Sequence, residues 1–299
     1  MKKVILGLVA IAALVSCKKE DNGNDTTIQE GTYPKEVTYK DKDGKIIGGS
    51  IYTIEGGKIV AWSYANYENG VPKNTKRSII TYNGALPVKV EGSGSTETYT
   101  YDESSRLIKS VDVEGGETNE TTYAYEGGKL SKIVRKQTTK TYKDGNNVPA
   151  IRYEESDFIY NGNRITVNEK SYIEVVADKS KVNEEVETTI YTVENGNVIK
   201  EEKTYNPSSK LTVEYTYDDK NNPSLNNLFK ILNPDHFIEY GNSKNNVLTI
   251  VTTNEENGNT EVSKRFYEYN YNGDYPTTVR EFRERDGNKE LRKITEYKY

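Results

Sequence analysis

The chain has 299 residues, of which 33% are hydrophobic and 29% charged, with a net charge of −5. A nucleic-acid partner needs a clustered basic face, and this balance argues against one. A lone cysteine, Cys17, rules out an internal disulfide and a thiolate metal cluster.

The first element is a leader. Met1, Lys2 and Lys3 precede an uncharged apolar run from Val4 to Val15. The run is too short for a membrane helix, which takes about 20 apolar residues, and has the proportions of a secretory signal. It ends in Leu14-Val15-Ser16-Cys17, which resembles the lipobox of bacterial lipoproteins. The resemblance implies cleavage before Cys17 and acylation of both its sulfur and its new amino terminus. At about 0.8 kcal/mol per buried CH₂, several chains together hold a protein on a membrane. Removing residues 1–16 takes two lysines and no acid, so the mature balance moves from −5 to −7. Lys18-Lys19-Glu20-Asp21 resembles the charged tag of Bacteroidota-type outer-membrane lipoproteins. That implies an outer-membrane, lipid-anchored protein on the cell surface, with a periplasm-facing orientation as the alternative. The expected division is a signal peptide at 1–16, a lipidated cysteine and flexible linker at 17–32, and a folded domain at 33–299. The linker is polar, with little to bury.

From residue 33 one unit recurs. Alternating residues end in tyrosine, a turn of Asn, Asp, Glu and Gly follows, and the next run opens with a polar and an aliphatic residue. "TYTYDESSRLIKSV", "TTYAYEGGKLSKIV" and "YEYNYNGDYPTTVREF" are copies. Gly-Gly at 56–57 and 127–128, and Asn-Gly at 83–84, 161–162, 195–196 and 272–273, accept positive φ and close tight hairpins. Tyr99/Tyr101, Tyr123/Tyr125, Tyr215/Tyr217 and Tyr267/Tyr269/Tyr271 lie two apart and so share a face. Pro87 and Pro276 hold equivalent places at the start of returning strands, where no ladder bond is lost. With 25 tyrosines against five phenylalanines, the chain suits thin sheets whose rings pack while their hydroxyls reach a partner or water.

The unit resembles the tyrosine-aspartate (YD) repeats of Rhs-type proteins, best at Tyr99-Thr100-Tyr101-Asp102 with Ser105-Arg106-Leu107. Its anchoring tyrosines at 52, 82, 101, 125, 160, 191 and 217 are irregularly spaced, by 19 to 35 residues. The chain is also similar to uncharacterised Bacteroidota lipoprotein domains with irregular hairpin repeats and a porin-like fold. Both resemblances inform fold more than function. The expected fold is all-β, an antiparallel meander of repeated hairpins, and the pattern leaves open whether it closes into a barrel-like roll. One stretch differs. Leu225, Leu228, Phe229 and Leu232 mark one face of a short amphipathic helix near 224–233, between Pro223 and Pro234. It is expected to cover an apolar face or plug one end of a curved sheet. The faces without tyrosine carry Thr, Glu and Lys, whereas a membrane barrel turns apolar residues outward. A soluble domain is expected.

No catalytic apparatus is visible, and no cofactor or metal is called for. His236, the single histidine, has no nucleophile motif around it. "DKDGK" at 41–45 and "DDKNN" at 218–222 resemble fragments of calcium loops and lack the remaining ligands. A carboxylate-based hydrolase would need two acids facing each other across a cleft. For binding, Trp62 and Tyr64 share a strand face with Tyr67 near the turn, an aromatic patch of the kind that stacks on sugars. The competing role for Trp62 is core filler. The reading is therefore a non-catalytic, lipid-anchored envelope module that binds or scaffolds, with an envelope protein or a glycan as partner and the membrane held through Cys17.

Overall fold

A computed structural model describes residues 32–68, 70–206, 208–225 and 228–299; the expected leader, Cys17 and the expected linker up to residue 31 lie outside them. The repeated units form eighteen strands. They begin with β1 (Glu36–Asp41), β2 (Ile46–Glu55), β3 (Lys58–Glu68), β4 (Val71–Asn83), β5 (Leu86–Gly92) and β6 (Ser95–Tyr101). Next come β7 (Leu107–Glu114), β8 (Glu117–Glu126), β9 (Lys129–Lys143), β10 (Asn146–Asn161), β11 (Arg164–Val175) and β12 (Lys181–Glu194). The last six are β13 (Asn197–Asn206), β14 (Ser209–Asn221), β15 (Asn245–Glu256), β16 (Asn259–Asn272), β17 (Tyr275–Arg285) and β18 (Asn288–Lys298). Each pairs antiparallel with its sequence neighbours, and β18 pairs with β1, from Glu36 opposite Lys298 to Asp41 opposite Lys293. The meander closes on itself. A closed ring leaves no strand edge for another chain to extend.

The turns act through backbone conformation. Gly56 and Gly57 form a two-residue loop with φ of 55° and 74°, the type I′ pattern. At Asn83-Gly84 the asparagine ends its strand opposite Leu86. Gly84 alone takes the first loop position at φ 61°, as a type II′ turn requires.

A bulge recurs beside these turns. The register slips just before Ile54, Tyr82, Tyr101, Tyr125, Val193, Tyr217 and Tyr271. The extra residue lies on the returning strand, where two residues oppose one. That strand therefore shows the same face at i and i+3: Ile59 and Trp62, Leu107 and Ser110, Leu130 and Ile133. The first residue of each such pair is deeply buried, as with Ile59 at 1% exposure.

Tyrosines of the following hairpin then reach sideways to these bulges. Tyr82, Tyr101, Tyr125 and Tyr160 donate their hydroxyls to the carbonyls of Ile59, Pro87, Leu107 and Leu130, one hairpin back, at 2.7–2.9 Å. Tyr217 to Val198, Tyr269 to Val247 and Tyr299 to Pro276 continue the series. Each latch ties its hairpin to the one before. Two anchoring tyrosines expected from sequence, Tyr52 and Tyr191, stand two residues before the bulge positions, which Ile54 and Val193 occupy.

Residues 222–244 interrupt β14 and β15. The expected helix is one turn, α1 (Phe229–Leu232), flanked by 3₁₀ turns at Pro223–Leu225, His236–Ile238 and Tyr240–Asn242. Proline 234 stops it as expected. Leu228 joins the core of Ile59, Ile80 and Leu107, and Phe237 packs on Phe158 and Tyr160. Asp235 accepts a bond from Arg135, and Tyr240 stacks on Tyr215. These partners lie on strands far apart around the ring, so one short segment can reach them all only from the lumen. It is a plug.

The residues of opposite parity form the outer wall, where ion pairs recur beside exposed aliphatic residues such as Ile79, Ile159 and Val186. Lys109 pairs with Glu120 at 2.6 Å, Lys132 with Glu155 at 3.1 Å and Lys170 with Glu184 at 3.0 Å. Glu202 gathers Arg164, Lys200 and Lys210. A barrel that spans a bilayer carries an apolar band about 25 Å tall on this surface.

Candidate functional site

Each aromatic residue singled out from sequence can now be located. Trp62 and Tyr64 share the lumenal face, as expected. Trp62 pairs with Tyr52 and Ser78 and packs, half-buried, on the core around Ile59. Tyr64 donates its hydroxyl to Asn66 at 2.6 Å. Tyr67, opposite Pro72, is an odd number of residues from Tyr64 and falls on the other face. The strand therefore does not bring all three together.

The remaining sequence candidates have local roles. Asp41 accepts the amides of Asp43 and Lys45, closing its turn. Asp218 accepts the amides of Lys220 and Asn246 and the Tyr271 hydroxyl. Both acids are engaged as turn caps rather than arranged around a cation. Among the described residues no group of three His, Cys, Asp or Glu is placed to hold a metal. His236 sets Nδ1 against the carbonyl of Asn233 at 3.0 Å, and burial pushes its pKa down. Glu97 and Asp112 do face each other across β6 and β7. Tyr99 donates to Glu97 at 2.7 Å, Asn119 reaches Asp112 at 3.4 Å, and burial raises the Glu97 pKa. These are cross-strand contacts within the wall.

The most developed site is a lumenal chamber of about 470 Å³ between the plug and the walls of β1 and β15–β18. That volume suits a small ligand. Strand register stacks its lining in tiers. At one end lies Tyr297, opposite Val37. Then comes a row of Tyr39, Thr295, Val279 and Tyr269, each opposite the next. Lys293, Glu281 and Tyr267 form the following row, with Arg265 beyond. The plug closes the chamber with Asn222, Pro223, Tyr240 and Gly241. Its lining is thus tyrosine-rich at one end and charged at the other.

Its electrostatics follow from burial and neighbours. The Lys293 ammonium lies 3.5 Å from Glu281 and 5.6 Å from the centre of the Tyr39 ring. Burial lifts Tyr267 to about 12; Glu281 adds to the shift and Arg265 opposes it. Burial also raises Tyr39, Tyr269 and Tyr297, so all four phenols are neutral donors at physiological pH. Sequence reasoning passed over this set. Its signal was the two-residue spacing of Arg265, Tyr267 and Tyr269, and of Lys293, Thr295 and Tyr297. What brings them together is pairing of strands from both ends of the chain.

No family model and no curated protein matches this chain. Solved structures do. A porin-like protein from Bacteroides uniformis shares 14% identity over 90% of this chain and 99% of its own, with a TM-score of 0.44. A porin-like protein from Bacteroides vulgatus shares 14% identity over 70% of this chain and 93% of its own, at 0.36. TcdB2-TccC3 without its hypervariable C-terminal region shares 10% identity over 82% of this chain and 17% of its own, at 0.22.

Proposed function

We propose that this chain is a non-catalytic binding module of the cell envelope, carried on the outer membrane by lipid on Cys17 and working through the lumen of a water-facing, plugged barrel. The observation that supports this most is the division of surfaces. Ion pairs such as Lys109–Glu120 and Lys170–Glu184 cover the outer wall, while tyrosines and the plug fill the inner one. Burying such a wall in lipid would cost several kcal/mol for each charge near the bilayer centre. The membrane attachment must then come from elsewhere, and the lipobox supplies it. The plug makes the barrel a container rather than a channel.

Fractionation of the Cys17→Ala chain tests the reading. It is expected to leave the membrane fraction without detergent, whereas the native chain stays. Retention of Cys17→Ala in membranes would overturn it. Protease shaving of intact cells then decides the orientation, with rapid cleavage expected for a domain at the cell surface.

A further inference from the structure

The chamber has the chemistry of a particular ligand class, and we propose that it binds an acidic sugar, a pyranose-sized ring bearing one carboxylate. This rests on the reading of the lumen as open to water. Three observations carry it. First, the size is right for one or two rings, at about 470 Å³. Second, the lining draws tyrosines from three sources: Tyr39 and Tyr297 from the paired β1 and β18, Tyr267 and Tyr269 from β16, and Tyr240 from the plug. Aliphatic groups are few, Val247 and Val279 among them. Tyrosine faces pack the C–H surface of a sugar while phenol hydroxyls, Asn246 and Thr295 meet its hydroxyls. A purely apolar ligand would leave these polar groups unpaired. Third, the lining carries Arg265 and Lys293 against one acid, Glu281. The excess is one positive charge, and a guanidinium is suited to a planar carboxylate.

Glu281 gives the proposal a signed test. It holds Lys293 at 3.5 Å and would repel a carboxylate arriving beside it. Glu281→Gln should therefore tighten binding of an acidic sugar and leave a neutral one unchanged. The full chain, purified in detergent, would be titrated with D-glucuronate, D-galacturonate, N-acetylneuraminate and D-glucose, following tyrosine fluorescence and heat. At least one acidic sugar is expected to bind, with glucose about tenfold weaker or more. Arg265→Gln should weaken the acidic ligand about tenfold, and Glu281→Gln should strengthen it severalfold. A damaged fold cannot produce that gain. Absence of binding by all three acids, or equal binding of glucose with no response to either substitution, overturns the proposal. Such a failure leaves the envelope reading standing if Cys17→Ala is released from the membrane; retention of that variant would overturn the reading itself.

Discussion

At the scale of single residues, the tyrosine hydroxyl is the recurring device. It lets a bulky ring fill the lumen while satisfying a carbonyl that the neighbouring bulge leaves outside the ladder. Tyr125 is typical, donating to Leu107 at 2.8 Å with the Arg106 guanidinium 4.8 Å from its ring centre. Tyr125→Phe keeps the ring and removes the donor, and urea unfolding is expected to show a loss of about 1 kcal/mol. The latches also set the behaviour at high pH. Burial lifts Tyr82, Tyr125, Tyr160 and Tyr217 to about 12, against about 10 in the unfolded chain. The neutral phenol is therefore favoured by folding. Its contribution is complete below pH 10 and is lost as pH rises through about 12. An alkaline titration should show tyrosinate absorbance and loss of β-sheet ellipticity rising together towards pH 12. Ionisation of these latch tyrosines near pH 10 with the sheet intact would contradict the account.

At the scale of elements, the plug converts a closed sheet into a container with a floor. Leu228 is 1% exposed within the core that joins Ile59, Ile80 and Leu107. Leu228→Ala should cost about 2–5 kcal/mol in denaturant unfolding. A much smaller loss would mean that the segment is not seated in the lumen. Its helical face was readable in part. Leu228 and Leu232 pack inward as the spacing implied, but Ile231, off that face, is also buried. In a lumen, walls surround the segment, and one apolar stripe no longer describes its burial. The hairpins were plainer. Gly-Gly and Asn-Gly marked turns where local backbone chemistry decides the outcome. Strand faces were harder to read, because each bulge changes the inward spacing from two to three. Ile59 and Trp62, or Pro87 and Val90, break strict alternation for that reason. Tyrosine identity points to Tyr52 and Tyr191 as anchors, yet the bulge falls at Ile54 and Val193.

At the scale of the whole molecule, closure depends on β1, a six-residue strand that joins β2 to β18. Nothing local in "EVTYKD" announces a partner more than 250 residues away, since pairing over that distance is fixed by the whole ring. The chamber was hidden for the same cause: Tyr39 lies opposite Thr295 and near Lys293 only once the ends meet. The charged face, by contrast, could be read directly, and the ion pairs of the outer wall are what it becomes. On this reading the outer wall faces water. Ile51 and Val186 lie on it, on distant strands, at 58% and 64% exposure. Because acylation of Cys17 would leave the chain with no free thiol, Ile51→Cys and Val186→Cys can each be read alone. The decisive measurement is the rate at which a water-soluble maleimide labels these variants in membranes, before and after detergent is added. A water-facing wall gives fast labelling at both sites, unchanged by detergent. Protection in the membrane that detergent abolishes would place the wall in lipid and contradict this reading.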